Sequence, residues 1–97
     1  MSLSIIIPIR NEEDNIEKII KRISKLNIDR ELCFIDDFST DKSYEKVLEI
    51  QKKFNFVKII KNKTKGLGSA INTGIDNISK EFTCIMMCDE SDSLSDL

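Results

Sequence analysis

Four short apolar runs, separated by three stretches of helix-forming sequence, constrain this 97-residue chain more than any other feature. The runs are Leu3–Ile9, Leu32–Ile35, Phe56–Ile60 and Phe82–Cys88. Each is strand-length, and the unbroken apolar stretch of the last reads as a strand buried on both faces. The last is the most apolar: Cys84-Ile85-Met86-Met87-Cys88 runs straight into Asp89-Glu90-Ser91-Asp92. Strands that alternate with helices over short connections predict a parallel sheet with helices on its faces, a three-layer α/β/α arrangement.

The intervening segments carry helix signals. Asn11 is a suitable N-cap, and Glu12, Glu13 and Asp14 place negative charge where a helix dipole favours it. Ile16, Ile19, Ile20, Ile23 and Leu26 follow at helical spacing, with lysines and Arg22 in the later turns. Ser39-Thr40-Asp41 reads as a turn and cap into a second helix that holds Tyr44, Val47, Leu48 and Gln51 in register and ends near Phe54. Gly66-Leu67-Gly68 opens a third, whose inner face is expected to be Leu67, Ala70, Ile71, Gly74, Ile75 and Ile78. Gly74 is expected to permit tight packing on the sheet. Pro8 cannot donate to a ladder, which places it at a strand's exit.

Chemistry collects at the strand exits. The first strand leads into Asn11-Glu12, the second into Asp36-Asp37, the fourth into Asp89 and Asp92. Open α/β sheets bind ligands outside the carboxyl ends of their strands. Carboxylates there accept from ribose hydroxyls or base N–H groups. A cluster of hard oxygens suits Mg²⁺ or Mn²⁺, which bridges carboxylate to phosphate. Lys61, Lys63 and Lys65 follow the third strand and read first as a solvated loop, with phosphate attraction as the alternative. Gly66 would let the backbone approach a ligand at the helix start. No G-x-G-x-x-G or G-x-x-x-x-G-K-[ST] pattern is present, which excludes a Rossmann fingerprint and a P-loop.

Composition narrows the function further. The net charge of −2 and a single Tyr with no Trp argue against nucleic-acid binding. Three cysteines and no histidine argue for reduced thiols packed as small hydrophobes, and against a structural zinc site or a Cys-His nucleophile. No apolar run approaches the ~20 residues of a membrane span. A cytoplasmic chain is expected, at the cytoplasmic face of a membrane in a longer form.

Four stretches together resemble the inverting family 2 glycosyltransferases of GT-A fold, over essentially the whole chain. They are Ser4-Ile5-Ile6-Ile7-Pro8-Ile9-Arg10-Asn11-Glu12-Glu13, Ile35-Asp36-Asp37-Phe38-Ser39-Thr40-Asp41, Lys65-Gly66-Leu67-Gly68-Ser69-Ala70-Ile71-Asn72-Thr73-Gly74, and the acidic end. The last is similar to the Asp-x-Ser-Asp version seen in polyprenyl-phosphate sugar transferases. Consecutive right-handed crossovers, and the switch needed to bring the acids together, predict the strand order 3-2-1-4, and the resemblance implies that this Rossmann-like sheet binds a nucleotide-diphosphate sugar. Pro8, Arg10, Glu12 and Asp37 would line the base and ribose, beside Lys65 and Gly66. Asp89, with Ser91 or Asp92, would hold Mg²⁺ or Mn²⁺ through the diphosphate. The acceptor would be a polyprenyl phosphate or a saccharide.

Phe38 departs from the family pattern, in which a glycine usually stands. Ser91 occupies the second acidic position, and Leu94 replaces a frequent proline. Residues 1–97 are expected to be a single donor-binding subdomain without the acceptor half, and no residue suggests itself as the catalytic base. The competing reading is a non-catalytic nucleotide-binding or interaction module. A phosphoacceptor receiver domain would need its acidic pair after the first strand, not the second. The fourth strand's edge is expected to be exposed and to favour self-association.

Overall fold

The computed structural model describes residues 2–88. Its element order is β1 (Ser2–Ile9), α1 (Ile16–Ser24), β2 (Asp29–Asp36), α2 (Ser43–Ile50), β3 (Val57–Lys61), α3 (Leu67–Ile75) and β4 (Phe82–Ile85). The four strands form one sheet in the order β3-β2-β1-β4, and every neighbouring pair is parallel. This is the sheet that the sequence predicts. The path explains the layers. The chain steps outward from β1 to β3 with α1 and α2 on one face, then returns past β1 with α3 on the other, as same-handed crossovers require.

Alternation along β1 serves both faces. Leu3, Ile5, Ile7 and Ile9 join α1's Ile16, Ile19, Ile20 and Ile23 in the larger core, together with Leu32, Phe34 and Val47. Ile6 faces the other way, with Cys33, Ile35 and Ala70. Each fully buried Ile contributes about 1.5–3 kcal/mol through lost contact with water. Gly74 sets the distance of α3 from the sheet. A Cβ there would lie 2.5 Å from Ile6 Cγ2, so only glycine lets the helix approach so closely.

Three expectations are corrected. The fourth apolar run forms a strand only to Ile85, and at its expected place on the sheet's edge it is not buried on both faces, with Phe82 and Ile85 52% and 47% exposed. Its ladder stops for a local reason. The Met86 N–H donates to the Ile6 carbonyl at 2.9 Å, so the backbone groups of Ile6, and of Pro8 two residues on, face β4. Pro8 has no N–H to continue the ladder. The face of α3 is also narrower than its apolar residues suggest. Ala70 and Gly74 are buried, while Leu67 and Ile75 are exposed. Finally, Asn11 does not cap α1, which starts at Ile16; Asn11 instead has φ 55° and bonds to a different loop.

Candidate functional site

The parallel register brings the strand exits together. Ile9, Asp36 and Lys61 are lateral partners across β1, β2 and β3. Arg10, Asp37 and Asn62 therefore leave the sheet side by side and form a rim at its carboxyl end.

Asp37 is the best-defined group on this rim. Its N–H donates to the Ile9 carbonyl at 2.8 Å, and it is only 8% exposed. Its Oδ1 accepts from Asn62 Nδ2 at 3.1 Å and from the Gly66 N–H at 3.0 Å. Oδ2 has no hydrogen-bond partner among the described residues. Beside it, Asp36 is buried and its Oδ1 is likewise without a partner. Buried polar oxygens are usually satisfied, so the orphaned Asp36 Oδ1 calls for a reason, and the neighbouring Asp37 Oδ2 is open beside it.

Nothing in the sequence singles out Asn62, which reads there as part of a solvated basic loop. In the structure it is 5% exposed and organises that loop. Its N–H donates to the Asp36 carbonyl at 2.9 Å. Its Nδ2 reaches Asp37 Oδ1 and the Thr64 and Gly66 carbonyls. Its Oδ1 accepts from the Ser69 and Thr73 hydroxyls of α3 at 3.1 and 3.2 Å. The one signal available in the sequence was a short amide side chain directly after a strand, a residue suited to local backbone bonding. Gly66 follows with φ 130°, a conformation open to glycine, and stands at the N-cap position before α3.

The two loops that carry the remaining residues are stitched to each other. Asn11 Oδ1 accepts from the Thr40 and Asp41 N–H groups at 2.7 and 3.2 Å, and the Asn11 N–H donates to Ser39 Oγ. The Glu12 N–H donates to Ser43 Oγ at 2.9 Å, and Glu12 Oε2 accepts from Asn15 Nδ2. Asp41 accepts from Ser43 and from the Glu13 N–H. Partial burial would raise the Asp41 pKa, but the bonds from Ser43 and Glu13 outweigh it and hold the carboxyl below 3.8.

The sequence-nominated residues divide as follows. Asp37 and Gly66 are in direct contact, and Glu12 lies on the loop tied to α2's first turn. Pro8 is buried in β1, while Arg10 and Lys65 are exposed. Lys61 stands 4.5 Å over the Tyr44 ring. Asp89, Ser91 and Asp92 lie outside the described residues. Among the described residues no cluster of three acids or thiols has metal-site geometry. None of the three cysteines is in a disulfide, and burial pushes Cys33 up to about 11, where it is unreactive as a nucleophile. A concavity of about 390 Å³ lies between α1 and α2, lined by Ile20, Ile50, Phe54 and surface charges. It holds none of the rim chemistry, so the rim is the candidate site. No helix among the described residues is long and apolar enough to cross a membrane.

Residues 4–96 match the model of Glycosyl transferase family 2. A dolichol-phosphate mannosyltransferase of Pyrococcus furiosus is 34% identical over 91 residues, which are 92% of this chain and 26% of that protein. A dolichyl-phosphate-linked diacetamido-glucuronosyltransferase of Methanococcus voltae is 36% identical over 86% of this chain and 27% of its own length. Among solved structures, S. aureus TarS in complex with UDP-GlcNAc superposes with a TM-score of 0.80 at 26% identity, covering 99% of this chain and 30% of that one. A mannosyltransferase of Pyrobaculum calidifontis, in complex with GDP-Man and Mn²⁺, superposes with a TM-score of 0.82 at 22% identity. It covers 90% of this chain and 27% of that one, and shares the GT-A fold. The chain thus spans about a quarter of the length of the curated relatives it matches.

Proposed function

Because this chain belongs to glycosyl transferase family 2, we propose that its rim binds the nucleotide part of a nucleotide-diphosphate sugar for inverting glycosyl transfer. One observation carries the reading: Asp37 is fixed through Oδ1 by Asn62 and Gly66, and its Oδ2 has no hydrogen-bond partner among the described residues. A rigid carboxylate with one open oxygen is suited to accept an N–H from a base or a hydroxyl from ribose. Arg10 and Glu12 follow the neighbouring exit of β1, Lys65 precedes Gly66 on the loop after β3, and Pro8 is buried in β1; we assign them to the same site.

Asp89 and Asp92 carboxylates with the Ser91 hydroxyl are a donor set of hard oxygens, which fits Mg²⁺ or Mn²⁺. When bound, such an ion would neutralise the charge that develops on a departing diphosphate. In the transfer, an acceptor oxygen would bond to the anomeric carbon from the face opposite the diphosphate. The bond from that carbon to the diphosphate would break, and nucleoside diphosphate would leave. The acceptor side, a polyprenyl phosphate or a saccharide, and the base that takes its proton are assigned to the part of the relatives' length that this chain does not span.

Asp37→Asn tests the reading cleanly. The amide oxygen keeps the two bonds that fix the loop, and only the open oxygen becomes a donor. Calorimetry with UDP, GDP and UDP-GlcNAc in the presence of Mg²⁺ should show binding to the parent chain. The variant should bind at least tenfold more weakly at unchanged Tm. Equal binding by both chains, or no binding by the parent, would overturn the assignment.

A further inference from the structure

Phe38 is the described residue least explained by the folded chain. It has φ 61°, in the left-handed region, where a bulky side chain is a genuine outlier. It is also 47% exposed and belongs to neither core cluster. The backbone leaves it no alternative. On one side the Asp37 N–H is bonded to Ile9; on the other, Ser39 Oγ and the Thr40 N–H are bonded to Asn11. Between two anchored neighbours the chain must turn left-handed at residue 38. Glycine or Asn would turn there with less strain, so the phenyl ring is unfavourable twice, in conformation and in exposure. Strain that nothing in the fold compensates tends to sit at functional sites.

We infer that Phe38 is a stacking platform for the base of the bound nucleotide and so a determinant of donor affinity. The inference rests on the donor-site reading above. It adjoins Asp37, so an edge contact from the Asp37 carboxylate and a face contact from the ring would recognise the two distinct surfaces of a base. Aromatic side chains stack on every base through its π face. The platform would therefore contribute affinity across nucleotides, while the carboxylate discriminates among their edges.

The test is to measure stability and affinity together in Phe38→Gly, Phe38→Asn and Phe38→Tyr. Glycine and Asn tolerate the left-handed conformation, so both variants should keep or raise the Tm. They should nonetheless bind UDP and GDP roughly tenfold more weakly or worse, the scale of losing one stacked base. Phe38→Tyr should bind like the parent. Inorganic pyrophosphate with Mg²⁺, which has no base, should bind parent and variants alike. Unchanged nucleotide affinity in Phe38→Gly would overturn the platform while leaving the Asp37 reading intact. So would an equal loss for pyrophosphate, which would mean that the rim itself had rearranged. A parent chain that binds no nucleotide would overturn both.

Discussion

The two ends of the sheet each hold a buried carboxylate, and they use it in opposite ways. At the amino end Glu31 has both oxygens engaged. Oε1 accepts from Ser4 Oγ at 2.7 Å and the Ser79 N–H at 2.6 Å; Oε2 accepts from Ser79 Oγ and lies 3.6 Å from Lys58 Nζ. Lys80 adds an N–H to Ser4 Oγ. This network latches the segment between α3 and β4 onto β1 and β2. At the carboxyl end Asp37 Oδ2 and Asp36 Oδ1 have no partner among the described residues. A carboxylate whose bonds are complete is structural. One that is held rigidly but left open is suited to a ligand, and stability is given up at such sites for function.

Predictions that test this contrast can be ranked by size. Glu31→Ala should have the largest effect. It strands the Ser4 and Ser79 donors in a buried setting and should cost about 3 kcal/mol, lowering Tm by more than ~10 °C, with little change in nucleotide affinity. A melt combined with calorimetry below the transition checks both halves. Gly74→Ala should cost about 2 kcal/mol by forcing Ile6 and α3 apart. Because α3 runs from the rim to the latch, it should weaken both ends.

Asn62→Ala should cost about 1.5 kcal/mol through its lost side-chain bonds. Unlike Glu31→Ala, it should also weaken nucleotide binding, since Asp37 loses a fixing partner. Acid should act through the latch. Burial pushes the Glu31 pKa up, but Ser4, Ser79 and Lys58 outweigh it, so the folded value lies below 4.5. Its contribution is complete above the unfolded value and is lost as pH falls through the folded one. Tm should therefore fall less steeply below about pH 4.5 in Glu31→Gln than in the parent chain. The smallest effect belongs to Asp36→Asn, which removes charge from a carboxylate with an orphaned oxygen and should change stability by less than about 0.5 kcal/mol. A loss comparable to that of Glu31→Ala would end the contrast between the two ends.

The sheet was legible because its signals are local and redundant. Ile5 to Ile9 alternate between two cores, and α1's isoleucines repeat at helical spacing. Asp37, Gly66 and the tight fit of Gly74 were legible for similar reasons. What escaped depends on contacts across the chain. Asn11 has the chemistry of an N-cap, and it does accept backbone N–H groups, but from residues 40 and 41 of a different loop. Asn62 looks like a loop residue until β3 sets it beside Asp37. The edge position of β4 was legible from the crossovers, but the exposure of its faces at Phe82 and Ile85 was not, because apolar content alone does not say which helices cover a strand.

The most direct test of the central claim is a residue-resolved amide titration of the chain with UDP or GDP in the presence of Mg²⁺. The account predicts shifts concentrated at Asp37, Phe38, Asn62 and Gly66, with Ser79 and Lys80 at the latch unmoved. Shifts centred on the latch or on the groove between α1 and α2, or no shifts at saturating nucleotide, would contradict it.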